Sequence, residues 1–88
     1  MTESEVQQAI YDVIGGIAPE AEPGKISPDE NLREALDIDS FDFLNLLIGL
    51  HERLGVQISE ADYGKLTTMS ALVHYLLSKI AARTITSR

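Results

Sequence analysis

Apolar residues recur at intervals of three and four along three stretches of the sequence, which predicts three amphipathic helices. The first is expected to open with a capping box between Thr2 and Glu5 and to end at the glycines of 15–16. The other two are expected over about 39–55 and about 68–82. The buried stripes of the first and third helices are predicted to be Val6, Ala9, Ile10, Val13, Ile14 and Ile17, and Met69, Leu72, Val73, Leu76 and Ile80.

A long connection, residues 18–38, separates the first two predicted helices. One helical turn is expected in it at SPDE, 27–30, and a separate short helix at SEADYG, 59–64, capped by Ser59. No alternating stretch rich in Val, Ile and Thr predicts a strand, so the fold class is all-α. We predict a small bundle of three main helices plus one short helix, with a long first loop. The apolar residues expected to hold the loop on the core are Ile26, Leu32, Leu36 and Ile38.

The second helix carries more apolar residues than one core-facing stripe can hold. On a helical wheel, the first apolar face takes a stripe of ordinary width, and a second apolar patch lies apart from it. This second patch either packs against the long loop or faces solvent to meet a partner or cargo. The first face consists of Phe43, Leu46, Leu47, Leu50 and Leu54, and the second patch of Phe41, Leu44 and Ile48.

Length and composition favour one domain over residues 1–88, with an ordered core of about 3–82 and a frayed tail at 83–88. The chain has no cysteine, which excludes disulfides, thiol nucleophiles and zinc–thiolate sites. Its apolar runs are too short to span a bilayer, and its first residues lack the features of a signal peptide. We therefore expect a cytoplasmic protein that does not insert into membranes, and a monomer.

The net charge of −7 is unevenly distributed. Residues 20–42 contain eight acidic residues against Lys25 and Arg33, whereas no acidic residue follows Asp62. Such a balance opposes nucleic-acid binding, which needs a basic surface. Apart from solubility, an acidic half favours a basic protein partner.

The sequence DIDS, 37–40, places a hydroxyl at the start of the second predicted helix. Asp39 can cap this helix, which makes Ser40 its first residue, where free N–H groups and the helix dipole favour an added phosphate ester. The alternative is that Ser40 belongs to an ordinary cap and has no further role. Nucleophilic catalysis is not supported, because His51 and His74 are not placed as a base for Ser40.

No catalytic or metal-ligating set is predicted elsewhere. A calcium loop opening at Asp37 would need Gly at its sixth position and Glu at its twelfth, but has Asp42 and Ile48 there. His51 and His74 are interpreted as surface or boundary residues.

Taken together, the sequence resembles the acyl carrier protein family from about Val6 to Ile80. The Asp-Ser pair alone is a weak signal, but this pair followed by the apolar helix, a Gly-Val-x-Ile step, an acidic short helix and a final amphipathic helix is specific. The resemblance is carried by Asp39-Ser40, Asp42, the Leu46/Leu50/Leu54 stripe, GVQISEAD at 55–62 and Thr67-Thr68.

The resemblance implies a carrier and not an enzyme. In this family a phosphopantetheinyl transferase uses coenzyme A to place a 4′-phosphopantetheine arm on the serine, and acyl groups are carried as thioesters on the thiol of the arm. Carried over here, Ser40 is the attachment site and Asp39 orients or recruits at it. The expected partners are the transferase and acyl-transferring, synthase or ligase enzymes. The implied partner interface is Phe41, Asp42, Leu44, Asn45, Ile48 and Glu52, and the implied acyl-cavity lining is Phe43, Leu46, Leu47 and Leu50.

The sequence departs from the family pattern in the second helix. Phe41 replaces the more usual leucine or methionine, Asn45, Gly49 and His51 reduce the acidic face, and Gly49 suggests close approach by another group. We therefore expect a dedicated carrier of lipid, polyketide or related metabolism, recognised more by apolar contacts than by charge. Two alternatives stay open, a free-standing peptidyl (aminoacyl) carrier and an unmodified helical interaction module.

Overall fold

A computed structural model describes the backbone of residues 2–86 and the side chains of residues 2–82. Four α-helices follow one another along the chain: α1 Glu3–Ile17, α2 Leu32–Leu36, α3 Ser40–Leu54 and α4 Met69–Thr86. Two 3₁₀ helices, Pro23–Lys25 and Glu60–Lys65, lie in the connections. Within the described residues the only β-type pairing is an isolated bridge between Asn31 and Thr68. The predicted all-α bundle is confirmed.

The first helix begins as its sequence predicts. The Thr2 backbone N–H donates to Glu5 Oε1 at 2.8 Å, and the Glu5 N–H donates to Thr2 Oγ1 at 3.2 Å. This capping box satisfies two donors that have no partner within the helix. The hydrogen bonds to the Glu5 carboxylate lower its pKa.

The long connection contains more structure than the sequence predicts. The sequence SPDE, 27–30, forms a hydrogen-bonded turn in place of the predicted turn of helix, and the Glu30 N–H donates to Ser27 O at 3.0 Å. The short helix α2 was missed, although Asn31 caps it by accepting from Glu34 N–H at 3.1 Å. Leu32 and Leu36, on α2, are buried, while Ile26 and Ile38 are partly buried against the core, so the predicted anchors are confirmed.

Three backbone contacts join this connection to the start of α4. Leu32 N–H donates to Thr67 O at 2.7 Å, and Ser70 N–H donates to Pro28 O at 3.0 Å, on either side of the bridge between Asn31 and Thr68. The connection is therefore held by hydrogen bonds as well as by apolar burial.

The core lies between α1, α3 and α4, and its stripes are those that the periodicity predicts, except that Val13 and Ile17 of α1 are only partly buried against it. Leu46, Leu50, Leu72 and Leu76 are fully buried at 0% exposure. Gly49 allows α3 to approach α1 closely, because a Cβ added there would lie 2.7 Å from Val13 Cγ1. The group that the sequence predicted to approach Gly49 is thus the neighbouring helix. Arg53 of α3 also donates to Asp12 of α1 at 2.7 Å.

The last helix continues to Thr86, past its predicted end at Ala82. The frayed tail expected at 83–88 stays a prediction, since only the backbone of 83–86 is described, as part of α4, and 87–88 lie outside the described residues. Between residues 2 and 86, no helix is both long and apolar enough to cross a membrane.

Candidate functional site

The start of α3 presents Ser40 at the surface, as the capping pattern predicts. Asp39 has an extended backbone and is the N-cap, and its Oδ1 accepts from the Asp42 N–H at 2.9 Å. Ser40 is the first helical residue and its side chain is exposed. The hydroxyl therefore lies beside the positive end of the helix dipole and is open to a modifying enzyme.

The direction in which the chain enters α3 is set by Asp37. This residue ends α2 in the left-handed region, with φ of 55°, and its N–H donates to Glu34 O at 3.2 Å. The Ile38 N–H donates to Arg33 O at 3.0 Å, and Ile38 is half-buried. This left-handed ending reverses the chain within one residue and presents Asp39 and Ser40 to solvent.

A surface groove of about 250 Å³ begins at Ser40. Its walls come from three parts of the chain, because α2 contributes Arg33, α3 contributes Phe43 and Leu44, and the second 3₁₀ helix contributes Tyr63 and Gly64. Thr67 completes it. We name it the serine groove.

The second apolar patch of α3 is exposed. Phe41 is 63% exposed, Leu44 36% and Ile48 45%. The long loop therefore does not cover this patch, and of the two possibilities, packing against the loop or facing solvent, the second is observed. A single exposed apolar residue would be ordinary, but three that lie on one helix face beside an accessible serine form an exposed apolar patch.

The polar residues predicted for the interface divide into two sets. Asn45 and Glu52 are exposed on α3. Asp42 is half-buried and lines another depression, which it shares with Ile17 and Ala18 of the α1 end. Asp42, in the first turn of α3, therefore lies beside the long connection.

The residues predicted to line an acyl cavity are all buried: Phe43 is 8% exposed, Leu46 and Leu50 are 0%, and Leu47 is 1%. They do not share one groove. Phe43 lines the serine groove, and Leu47 lines a second groove of about 140 Å³ that also includes Ile48, Ile58 and Tyr63. Neither of these two grooves includes Leu46 or Leu50, which belong to the hydrophobic core.

Four residues that line the serine groove were missed from sequence: Arg33, Tyr63, Gly64 and Thr67. Arg33 lies in α2, and the helix itself was not predicted, so nothing in the spacing connected it with Ser40. Tyr63 lies in the short acidic helix that was predicted, where an aromatic residue within a polar segment was the available signal. Neither side chain could be assigned to the site before the positions of these helices were known.

The second 3₁₀ helix is fixed on α4 by polar contacts. The Tyr75 hydroxyl donates to Asp62 Oδ2 at 2.8 Å, and this hydrogen bond lowers the pKa of the Asp62 carboxyl. Ser59 caps the same helix by accepting from the Ala61 N–H at 3.3 Å. The His51 ring Nδ1 lies 2.6 Å from Val56 O, which places His51 at the boundary of the core as predicted.

The chain matches the family model described as the phosphopantetheine attachment site over residues 6–76. It is 36% identical to the acyl carrier protein of Lactobacillus johnsonii, covering 89% of this chain and 96% of that protein. It is 28% identical to the acyl carrier protein of Thermosynechococcus vestitus, covering 93% of this chain and 100% of that protein.

Solved structures give the same result. The acyl carrier protein from Enterococcus faecalis superposes with a TM-score of 0.74 at 28% identity, over 90% of this chain and 99% of that one. A putative acyl carrier protein from Anaplasma phagocytophilum gives 0.76 at 28% identity, over 90% of this chain and 92% of that one.

Proposed function

The chain belongs to the acyl carrier protein family, and from that premise we propose that Ser40 bears a 4′-phosphopantetheine arm on which acyl groups are carried as thioesters. Residues 1–88 would then act as a single, monomeric carrier domain in the cytoplasm, and partner enzymes would act on its cargo. The observation that carries the proposal is the exposed hydroxyl of Ser40 at the first position of α3, beside the cap residue Asp39.

The residues around Ser40 suit a phosphodiester at this position. The Asp39 side chain accepts from the Asp42 N–H, which fixes the first turn of α3 and hence the position of Ser40. The remaining N–H groups of the first turn and the helix dipole favour an attached phosphate. When bound, the arm supplies the thiol that this cysteine-free chain lacks.

We assign the partner interface to the exposed face of α3. Phe41, Leu44 and Ile48 provide the apolar contact, and the surrounding polar residues provide orientation. A few residues buried at the centre of an interface commonly carry most of the binding energy. The polar members are Asp42, Asn45 and Glu52, and the partners are the phosphopantetheinyl transferase and acyl-transferring, synthase or ligase enzymes.

Intact mass spectrometry tests this assignment. The protein is incubated with coenzyme A, magnesium and a broad-specificity phosphopantetheinyl transferase, together with Ser40→Ala and Ser78→Ala. Ser78 is a matched control, because it is exposed on α4 away from the proposed site. We expect one phosphopantetheine on the native protein and on Ser78→Ala, and none on Ser40→Ala.

No addition to the folded native protein, under conditions in which the transferase modifies a control carrier, would contradict the proposal and favour an unmodified interaction module. Loading the modified protein with acyl and aminoacyl donors then distinguishes the acyl carrier from a peptidyl carrier. Acceptance of aminoacyl groups alone would contradict the acyl assignment.

A further inference from the structure

Two grooves follow one another along the same side of α3. The serine groove takes Phe43 and Leu44 from α3, and the second groove takes Leu47 and Ile48, which lie one helical turn further on. Tyr63 lines both grooves. Its side chain therefore stands between the space that begins at Ser40 and the space that continues along the helix.

The position of Tyr63 is fixed by its neighbours. Leu66 N–H donates to Tyr63 O at 3.1 Å, which closes the last turn of the 3₁₀ helix. The adjacent Asp62 carboxylate accepts from the Tyr75 hydroxyl at 2.8 Å, and the Ser59 N–H donates to that same hydroxyl at 3.4 Å. The first half of the helix is thus tied to Tyr75 of α4, and the half-buried Tyr63 also packs on the core.

The presence of Ser40 in the lining of the serine groove indicates what would occupy this groove. Ser40 is itself part of that lining, so a group attached to its hydroxyl starts at the edge of the groove and can lie along it. Beyond Tyr63, the second groove offers the apolar side chains of Leu47, Ile48 and Ile58. A long acyl chain would gain from reaching these side chains, because each buried methylene group is stabilised by removal from water.

We propose that Tyr63 is a specificity-determining residue, which confines arm-borne cargo to the serine groove and so limits the acyl groups that the carrier shelters to short ones. This inference rests on the proposed attachment at Ser40. The serine groove has about 250 Å³, and the second groove behind Tyr63 would add about 140 Å³. A longer chain leaves its far end in solvent or in the partner enzyme.

The test compares butyryl, octanoyl and dodecanoyl groups, loaded from their coenzyme A thioesters onto the native protein, Tyr63→Ala and Tyr63→Phe. Loading is first confirmed by mass. The rate of thioester cleavage by hydroxylamine then measures how well each group is sheltered, and amide chemical shifts of Gln57 and Ile58 report entry into the second groove. Tyr63→Phe is the matched control, because it keeps the ring that separates the grooves.

We expect the native protein and Tyr63→Phe to shelter octanoyl and dodecanoyl groups no better than butyryl, without shift changes at Gln57 and Ile58. In Tyr63→Ala the long groups should be cleaved at least about fourfold more slowly, the factor expected for one further buried methylene group. The shifts of Gln57 and Ile58 should then change with the longer cargo.

A second variant tests the serine groove if Tyr63→Ala does not fold. Gly64 lines only this groove of the two, and a Cβ added there meets nothing within 4 Å. Gly64→Leu should therefore fold, fill the groove and accelerate cleavage of the butyryl thioester. Shelter of long groups in the native protein, or an unchanged butyryl rate in Gly64→Leu, would overturn the role of Tyr63 while Ser40 still loads. Absence of loading would instead contradict the proposed function itself.

Discussion

Gly49 is a residue at which α1 and α3 approach closely, and its substitution tests that contact. Alanine is favoured over glycine within a helix by about 1 kcal/mol. Here its Cβ would lie 2.7 Å from Val13 Cγ1, and valine has little rotamer freedom to move away. We expect Gly49→Ala to lower the free energy of unfolding, by up to about 2 kcal/mol after the helix preference is subtracted. Urea unfolding measures the change.

Gly15 provides the control, since it lies in α1 with nothing within 4 Å of an added Cβ. Gly15→Ala should stabilise the protein by about 0.5–1 kcal/mol. The double variant Val13→Ala/Gly49→Ala should have a higher free energy of unfolding than Val13→Ala alone, because the alanine at 49 no longer meets a valine side chain. Equal stabilisation by alanine at both glycines would contradict the close approach.

Asp39 has two proposed roles, capping α3 and recruiting the transferase, and a comparison of two substitutions can separate them. Asparagine caps helices as well as aspartate, so Asp39→Asn should leave the free energy of unfolding nearly unchanged, whereas Asp39→Ala should lower it by about 1 kcal/mol. If the charge of Asp39 recruits the transferase, both variants should reduce the rate of Ser40 modification to a similar extent. A normal rate in Asp39→Asn would assign Asp39 to capping alone. Urea unfolding and time-resolved mass spectrometry give the two quantities.

At the scale of the element, α3 has a buried face and an exposed apolar face, and one substitution on each face tests the division. Leu46→Ala should cost about 2–5 kcal/mol, because Leu46 is fully buried at 0% exposure. Ile48→Glu should leave stability within about 0.5 kcal/mol, because Ile48 is 45% exposed. It should nevertheless slow acyl transfer to partner enzymes, since a charge would enter an apolar contact.

Circular dichroism with urea unfolding measures stability, and the acyl transfer rate measures recognition. Ser78→Glu is the control, because it adds the same charge at an exposed residue of α4 that lies outside the proposed interface. A large loss of helix content in Ile48→Glu would place this residue in the core and contradict the exposed face.

At the scale of the whole molecule, the acidic residues are concentrated in 20–42, the part of the sequence that contains the proposed attachment site. If partners approach with basic surfaces, added salt should raise the KM of the transferase and leave kcat nearly unchanged, because screening slows association. Asp37→Asn should reduce this salt dependence. Asparagine tolerates the left-handed conformation of Asp37, φ 55°, so the variant removes charge without straining the turn.

Steady-state kinetics at several ionic strengths measures the effect, with Glu3→Gln as a control on the far end of the sequence. An unchanged KM at all salt concentrations would indicate that recognition depends on the apolar face alone. That result would agree with the reduced acidity of α3 noted from its sequence.

The periodic apolar residues predicted the three long helices and their cores, because amphipathic helices of this length carry a strong repeating signal. The caps at Thr2, Asp39 and Ser59 were equally predictable, since each uses a local side-chain contact. The helix α2 was missed because its five residues span barely more than one turn, which is too short for periodicity to identify.

The candidate site was predictable in part for the same reason. The exposure of Ser40, Phe41 and Ile48 follows from their positions on one helix. The contributions of Arg33 and Tyr63 depend on how α2 and the second 3₁₀ helix pack against α3, and such long-range contacts leave no regular spacing in the sequence. The acyl cavity expected along the core stripe of α3 also depends on how the helices pack. The residues expected to line it are divided between two grooves and the core.

The close approach of Val13 to Gly49 makes one side of the bundle harder to deform than the other. At Gly49, in the seam between α1 and α3, there is no space even for a methyl group, and the Arg53–Asp12 ion pair spans the same two helices. Separating them would expose tightly packed side chains on both. The second 3₁₀ helix, in contrast, lies across open grooves and is joined to α4 by contacts to one tyrosine hydroxyl. The side of the second 3₁₀ helix is therefore more easily deformed than the seam, which keeps its resting width.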